Sequence, residues 1–347
     1  MGRRLGWLGG LTVAALVVVV PLPAGANGGT YRQSNLVSDV PGAAQVTDPN
    51  LVNPWGMSRS ATSPIWVSDN GTDVSTLYNG DVNGSPAAAL SLVVSIPGGA
   101  PTGQVFNDTT AFVLPGTTTA ARFIFIGEDG DLSAWAGGTA ATLISHTDGA
   151  GYKGLALAHS PFGPLLLATN FATGKIDVFD GSFNPVTDDR LFHDRFLPAG
   201  FAPFNAAEIG NQVYVTYAKV GPTGDDVAGP GNGFVDVYTN FGAFVKRLVT
   251  RGVLNSPWGI TIAPANFGQF SGDLLIGNFG DGKIHAFDPN NGEVLGTLRG
   301  ANHKPLVIDG LWGLIVGNAG AGGPDSVWFS AGPEEESHGL LGTLRAS

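Results

Sequence analysis

The chain of 347 residues contains no cysteine. Disulfides, thiolate catalysis and cysteine-ligated zinc or iron–sulfur sites are therefore excluded, and stability has to come from packing and closure. Charge is sparse and one-sided, with 17 Lys and Arg against 28 Asp and Glu, for a net charge of −11. A surface of this sign opposes the phosphate backbone and anionic lipid, so no nucleic-acid partner is expected. No serine occupies a G-x-S-x-G elbow and no H-E-x-x-H pair is present. The histidines (His146, His159, His193, His285, His303 and His338) are scattered.

What is abundant is turn chemistry: 53 glycines and 23 prolines leave little room for long helices, while Val, Ile, Leu and Phe recur in short runs. That is an all-β composition. At the N-terminus, Arg3 and Arg4, the apolar run Leu11 to Val20 and the small residues Ala24-Gly25-Ala26 read as an export signal over 1–26. The apolar run is short for an anchor, and no later run approaches spanning length. The remaining 27–347 is expected to be one domain, secreted or periplasmic, monomeric and without a membrane span after cleavage. Its net charge without Arg3 and Arg4 is −13.

One pattern repeats along the chain: an inner segment, a β-rich run ending in a small or acidic residue, a glycine turn, and a further strand closing on an aromatic. Leu51 to Asp81 and Leu254 to Gly292 are the clearest copies. Anchors at Asn53, Asn107, Gly154, Asn205, Asn255 and Gly310 lie 54, 47, 51, 50 and 55 residues apart. This is the period of a four-stranded blade, and a unit of that size buries its apolar face only by stacking on its neighbours. The expected fold is an all-β, six-bladed β-propeller. Inner strands are expected at Trp55 to Ser60, Asp108 to Leu114, Gly154 to Ala158, Phe204 to Ile209, Trp258 to Ala263 and Trp312 to Val316. The last repeat has no sequence for a fourth strand after Leu340 to Arg345, whereas Thr30 to Val37 precedes the first repeat without a partner. The N-terminal strand is therefore expected to complete the C-terminal blade, which removes an exposed edge.

In a propeller the segments entering the inner strands and the turns between second and third strands share one face. Asn53, Asn70, Glu128, Asn170, Asp225, Asp226, Asn278, Glu334, Glu336 and His338 fall there and form the candidate ligand-binding rim. Asn107, Asn205, Asn255 and Asp309 near the mouth are the candidate ligands of a hard cation such as calcium, which takes six to eight oxygens at no fixed spacing. Each of these residues is equally explained as a turn former. Trp55, Trp258 and Trp312, each followed by glycine, recur at one structural position and are assigned to packing between blades. Gly277 to Lys283 matches a phosphate-binding loop up to the lysine, but Ile284 stands where Ser or Thr would ligate magnesium, so it is read as a hairpin. The insertion Lys219 to Gly233 lengthens one turn of the fourth blade.

LVNPWG at 51–56, DDVAGPGNGFVDVY at 225–238, SPWGI at 256–260, GNFGDGKIHAFD at 277–288 and AGPEEESHGLLG at 331–342 together resemble a family of exported bacterial six-bladed propellers. Some members carry a Pro-Glu-Pro C-terminal sorting tail, a mode of attachment not expected for a chain ending Leu344-Arg345-Ala346-Ser347. More distantly, the blade pattern is similar to NHL-repeat and gluconolactonase-like propellers. The latter resemblance implies calcium at the central opening, although no glutamate begins the first inner strand here. Two functions follow as expectations. One is a non-catalytic module that binds an extracytoplasmic ligand, polymer or protein through its rim. The other is a calcium-dependent hydrolase or lyase of lactonase or esterase type.

Overall fold

Short runs rich in Val, Ile, Leu and Phe, each stopped by Gly, Asn or Asp, fold as strands because both faces are sandwiched between neighbouring blades. The computed structural model describes residues 29–347, which form six sheets around one axis. The segment read as an export signal, 1–26, lies outside the described residues.

Blade one comprises Pro54–Ser58, Ile65–Asp69 and Val74–Asn79, with Ala88–Ala89 and Val94–Ser95 sharing its outer position. Blade two follows as Pro101–Phe106, Phe123–Gly127, Asp131–Trp135 and Thr142–His146. Blade three has three strands, Tyr152–Ala158, Leu165–Asn170 and Lys175–Phe179. Blade four is Phe201–Ile209, Gln212–Lys219, Gly233–Thr239 and Phe244–Thr250. Blade five is Pro257–Ile262, Leu274–Asn278, Ile284–Phe287 and Val294–Thr297. Blade six is Leu311–Val316, Val327–Ala331 and Leu340–Ala346, completed by Tyr31–Ser38.

The N-terminal strand thus closes the ring as expected, running antiparallel to Leu340–Ala346 with Tyr31 opposite Ala346 and Ser38 opposite Leu340. Its own Leu36 and Val37 are fully buried, and the Tyr31 hydroxyl donates to the Phe267 carbonyl of blade five at 3.1 Å. One inner strand departs from expectation. Asp108 to Leu114 is a turn region, and the inner strand of blade two is Pro101–Phe106, paired with Phe123–Gly127. Asn107 lies just past the end of that strand, where its amide donates to the Ala111 and Ala121 carbonyls and its oxygen accepts from Thr109.

All six inner strands carry a register shift at the same level, between Pro54 and Met57, Pro101 and Gln104, Tyr152 and Gly154, Pro203 and Asn205, Pro257 and Gly259, and Leu311 and Leu314. A bulge re-aims side chains and bends its strand. Each bulge holds an x-Gly pair or its equivalent: Trp55-Gly56, Thr102-Gly103, Lys153-Gly154, Phe204-Asn205, Trp258-Gly259 and Trp312-Gly313. Glycine is needed because adjacent inner strands touch here. A Cβ on Gly103 would lie 2.3 Å from the Leu155 nitrogen of the next blade, and one on Gly259 would lie 2.7 Å from the Trp312 carbonyl oxygen. Asn205 stands in the glycine position of blade four and reaches the next blade by donating to the Trp258 carbonyl at 2.9 Å.

Because Leu36 is buried in the closing strand, Leu36→Ala should cost about 2–5 kcal/mol. Guanidinium unfolding checks this, and a loss below about 1 kcal/mol would mean that the closing strand contributes little.

Candidate functional site

The residues preceding the bulge glycines form a layer across the channel: Trp55, Thr102, Lys153, Phe204, Trp258 and Trp312. Trp55 stacks on Trp312 with centroids 3.6 Å apart, and Trp258 meets both edge-on at 6.3 and 5.8 Å. The tryptophans therefore pack one blade against another, as their recurrence suggested, and they do so across the axis. Phe279 caps Trp312 at 3.9 Å and Phe171 leans on Phe204 at 5.2 Å. Both phenylalanines come from second-to-third-strand turns, so the phosphate-loop lookalike is a hairpin that supplies an aromatic lid. Ring faces brought together in this way close the channel with an apolar plug.

Lys153 occupies the layer position of blade three, where other blades place an aromatic. Its ammonium lies 5.1 Å from the Trp55 ring centre and 2.5 Å from Glu128 Oε1. The other Glu128 oxygen accepts from the Asn70 amide at 3.2 Å. Asn70 Oδ1 in turn accepts from Asn53 Nδ2, which also donates to Glu336 at 2.7 Å, while Asn53 Oδ1 takes the Trp312 indole N–H at 3.1 Å. A continuous hydrogen-bonded chain thus runs over the plug from Lys153 to Glu336. Burial pushes the Glu336 carboxyl above its usual range, and Glu128 and Asp226 add repulsion while Asn53 and Lys153 oppose the shift. Burial raises Asp226 as well, against Ser256 and Lys153.

The turn that delivers Glu336 is strained. Glu334, Glu335 and Glu336 have φ of 55, 55 and 66°, three consecutive non-glycine residues in the left-handed region. Each costs about 1–2 kcal/mol, and strain of this kind persists only where the surroundings enforce it. One buried polar atom nearby, Trp55 Nε1, has no partner among the described residues.

Of the rim candidates, Asn53, Asn70, Glu128 and Glu336 converge, and Asp226 faces the same mouth. Asn170 and Asn278 are buried turn residues: Asn170 bonds Asp177 and Gly151, and Asn278 bonds Val253, Asp281 and Asn255. Asp225 and Glu334 are exposed. His338 turns away to Asp39, 2.7 Å distant, and braces the N-terminal segment. The four candidate calcium ligands are not brought together. Asn107 caps its local turn, Asn205 bonds Trp258, Asn255 accepts from Gly229, and Asp309 accepts from the Glu334 amide. No group of three or more His, Asp or Glu side chains among the described residues is arranged to hold a metal ion. Lys153 was missed because the tryptophan motif marks its layer in only three blades; alignment on the bulge glycines exposes it.

The opposite end of the channel carries a second polar group, formed where inner strands end. His159 Nδ1 is bonded to Glu208, and Nε2 lies 2.8 Å from Asp108. An imidazole with an acceptor at each nitrogen is favoured in its protonated form, and its pKa is raised by hydrogen bonds to Glu208 first and then Asp108. Arg59 lines the same mouth. Arg59, Asp108, His159 and Glu208 are spaced by 49, 51 and 49 residues, about one blade each, a signal visible only once the period is known. No helix among the described residues is long and apolar enough to cross a membrane.

No protein-family model matches the chain. The uncharacterised protein R648 of Acanthamoeba polyphaga mimivirus is 32% identical over 333 residues, spanning 91% of this chain and 80% of that protein. The uncharacterised protein L690 of the same virus is 31% identical over 348 residues, spanning 91% and 86%. Among solved structures, a glucose dehydrogenase aligns with a TM-score of 0.53 and 13% identity over 91% of this chain and 100% of its own. The GH93 alpha-L-arabinofuranosidase of Fusarium graminearum gives a TM-score of 0.56 at 10% identity, over 91% of this chain and 98% of its own. At such identities the likeness shows the propeller fold and says nothing of chemistry.

A pKa for His159 raised above the ordinary 6.5 makes a signed prediction. The clamp's contribution to stability is fully present below the unfolded-state pKa and is lost as pH rises through the folded one. The gap in Tm between the wild type and His159→Gln should therefore be largest in mild acid and narrow with increasing pH. A gap that widens with pH would show that the imidazole is held neutral.

Proposed function

The chain belongs to the family of the mimivirus proteins R648 and L690, and from its own geometry we propose that it is a binding propeller. It engages a partner through the face that carries Asn53, Asn70, Glu128, Lys153, Asp226 and Glu336. The observation that carries this reading is the strained turn of Glu334 to Glu336, which holds a half-buried carboxylate over a closed aromatic plug. Backbone strain spent on placing one charge favours a recognition role. Three carboxylates against one lysine select a partner that offers hydrogen-bond donors or a cationic group. Export, read from Arg3, Arg4 and the apolar run after them, places the partner outside the cytoplasm, and the resemblance to exported bacterial propellers supports this.

A second reading, a calcium-dependent hydrolase or lyase, rests on Glu128, Asp226 and Glu336 facing one mouth. It does not rest on Asn107, Asn205, Asn255 and Asp309.

A thermal-shift titration separates the two. A hexalysine peptide should raise Tm, since a ligand of the folded state stabilises by about 2.7 kcal/mol at a hundredfold excess over Kd. Glu336→Gln and Asp226→Asn should each reduce the shift, while hexaglycine should give none. Absence of any hexalysine shift at low salt, or full retention in both variants, would defeat the binding reading. A rise with calcium chloride that chelator reverses would favour the enzyme.

A further inference from the structure

Below the plug the channel does not close. A cavity of about 400 Å³ runs from Trp258 to the opposite face, within the range of about 300–1,000 Å³ typical of small-molecule sites. Its walls are inner-strand side chains: Leu155, Leu157, Ile260 and Leu314 keep 5–8% exposure, although the outward-facing cores of the same blades are fully buried. The polar groups of the wall are already satisfied. Gln104 donates to the Gly56 carbonyl and accepts from Ser58, and Asn205 is bonded to Trp258 and Ala206. The wall is therefore mixed, with backbone and already satisfied amide groups interleaved with the four leucine and isoleucine side chains, and those side chains are what it offers an apolar guest.

The mouth differs. Asp108 and Glu208 are committed to His159. Arg59, half-buried beside them, donates only to the neutral carbonyls of Val316 and Ser60, at 2.6 and 3.2 Å, and no carboxylate lies within ion-pair distance of it among the described residues. Burial without an anionic partner lowers its pKa. From Trp258 to Thr261 the strand advances about 10 Å, room for a chain of roughly eight carbons.

We propose that this blind channel is a binding site for a small monocarboxylate with an apolar tail, the tail lying among Leu155, Leu157, Ile260 and Leu314 and the carboxylate on Arg59. Apolar area leaving water supplies the affinity, and a guanidinium–carboxylate pair at the rim fixes orientation. The site lies on the opposite face from the proposed partner surface, so either stands without the other.

The test is isothermal titration of the mature chain with octanoate, octan-1-ol and octyltrimethylammonium. Octanoate is expected to bind saturably, with Kd of about 1 mM or tighter, and at least tenfold more tightly than the other two. Arg59→Met and Arg59→Gln should each weaken octanoate tenfold or more and leave octanol unchanged. Leu157→Phe, which fills the tube, should weaken all apolar ligands together. Circular dichroism and Tm report whether each variant folds, and the wild-type preference for the acid decides the matter if none does. No saturable binding of octanoate, equal binding of acid and alcohol, or octanoate affinity unchanged in both folded Arg59 variants overturns the proposal.

Discussion

Six strands cannot converge on one axis at ordinary sheet spacing and still carry side chains at the point of contact. The structure meets that constraint with one bulge per inner strand, placed at a common level, and a glycine that removes the clashing Cβ in five of the six blades. The bulge also decides what fills the axis, since the residue before the glycine is turned inward. Most of the functional geometry descends from this layer. Trp55, Trp258 and Trp312 form the plug, Lys153 supplies the charge above it, and the plug divides the channel into a platform on one face and a tube on the other.

The asymmetry of the layer is as informative as its symmetry. Four blades contribute an aromatic, one a buried threonine that donates to the Tyr152 carbonyl, and one a lysine. Placing an ammonium against the Trp55 face is favourable only because the ring quadrupole and Glu128 together replace lost water. The Glu128–Asn70–Asn53–Glu336 chain then follows as the arrangement that satisfies neighbouring polar groups.

Blade number and the pairing of the two chain ends were legible because they depend on period and edge satisfaction, both written into the order of residues. Registration within a blade was harder. Choosing Asn107 as the anchor of blade two moved its inner strand past the true one, whereas the bulge positions 56, 103, 154, 205, 259 and 313 keep a smoother spacing of 47, 51, 51, 54 and 54 residues. Asparagine serves turns at either end of a strand, but a glycine fixed by contact with the next blade has only one possible level. The candidate rim was readable where turn residues also meet across blades, as Asn53 and Asn70 do. It was not readable where Asn170 or Asn278 merely satisfy their own turn. His159, Asp108 and Glu208 come from three blades, and no local motif joins them.

The pairing of Tyr31–Ser38 with Leu340–Ala346 sets an order of assembly. In a chain emerging N-terminus first, the strand made earliest is the one used last, and some three hundred residues must appear before its partner exists. Until then Leu36 and Val37 belong to an unpaired apolar edge, and that is the species most exposed to wrong pairing with another copy. The ring therefore has a single seam, and premature or incorrect closure there would misplace both faces of the molecule at once.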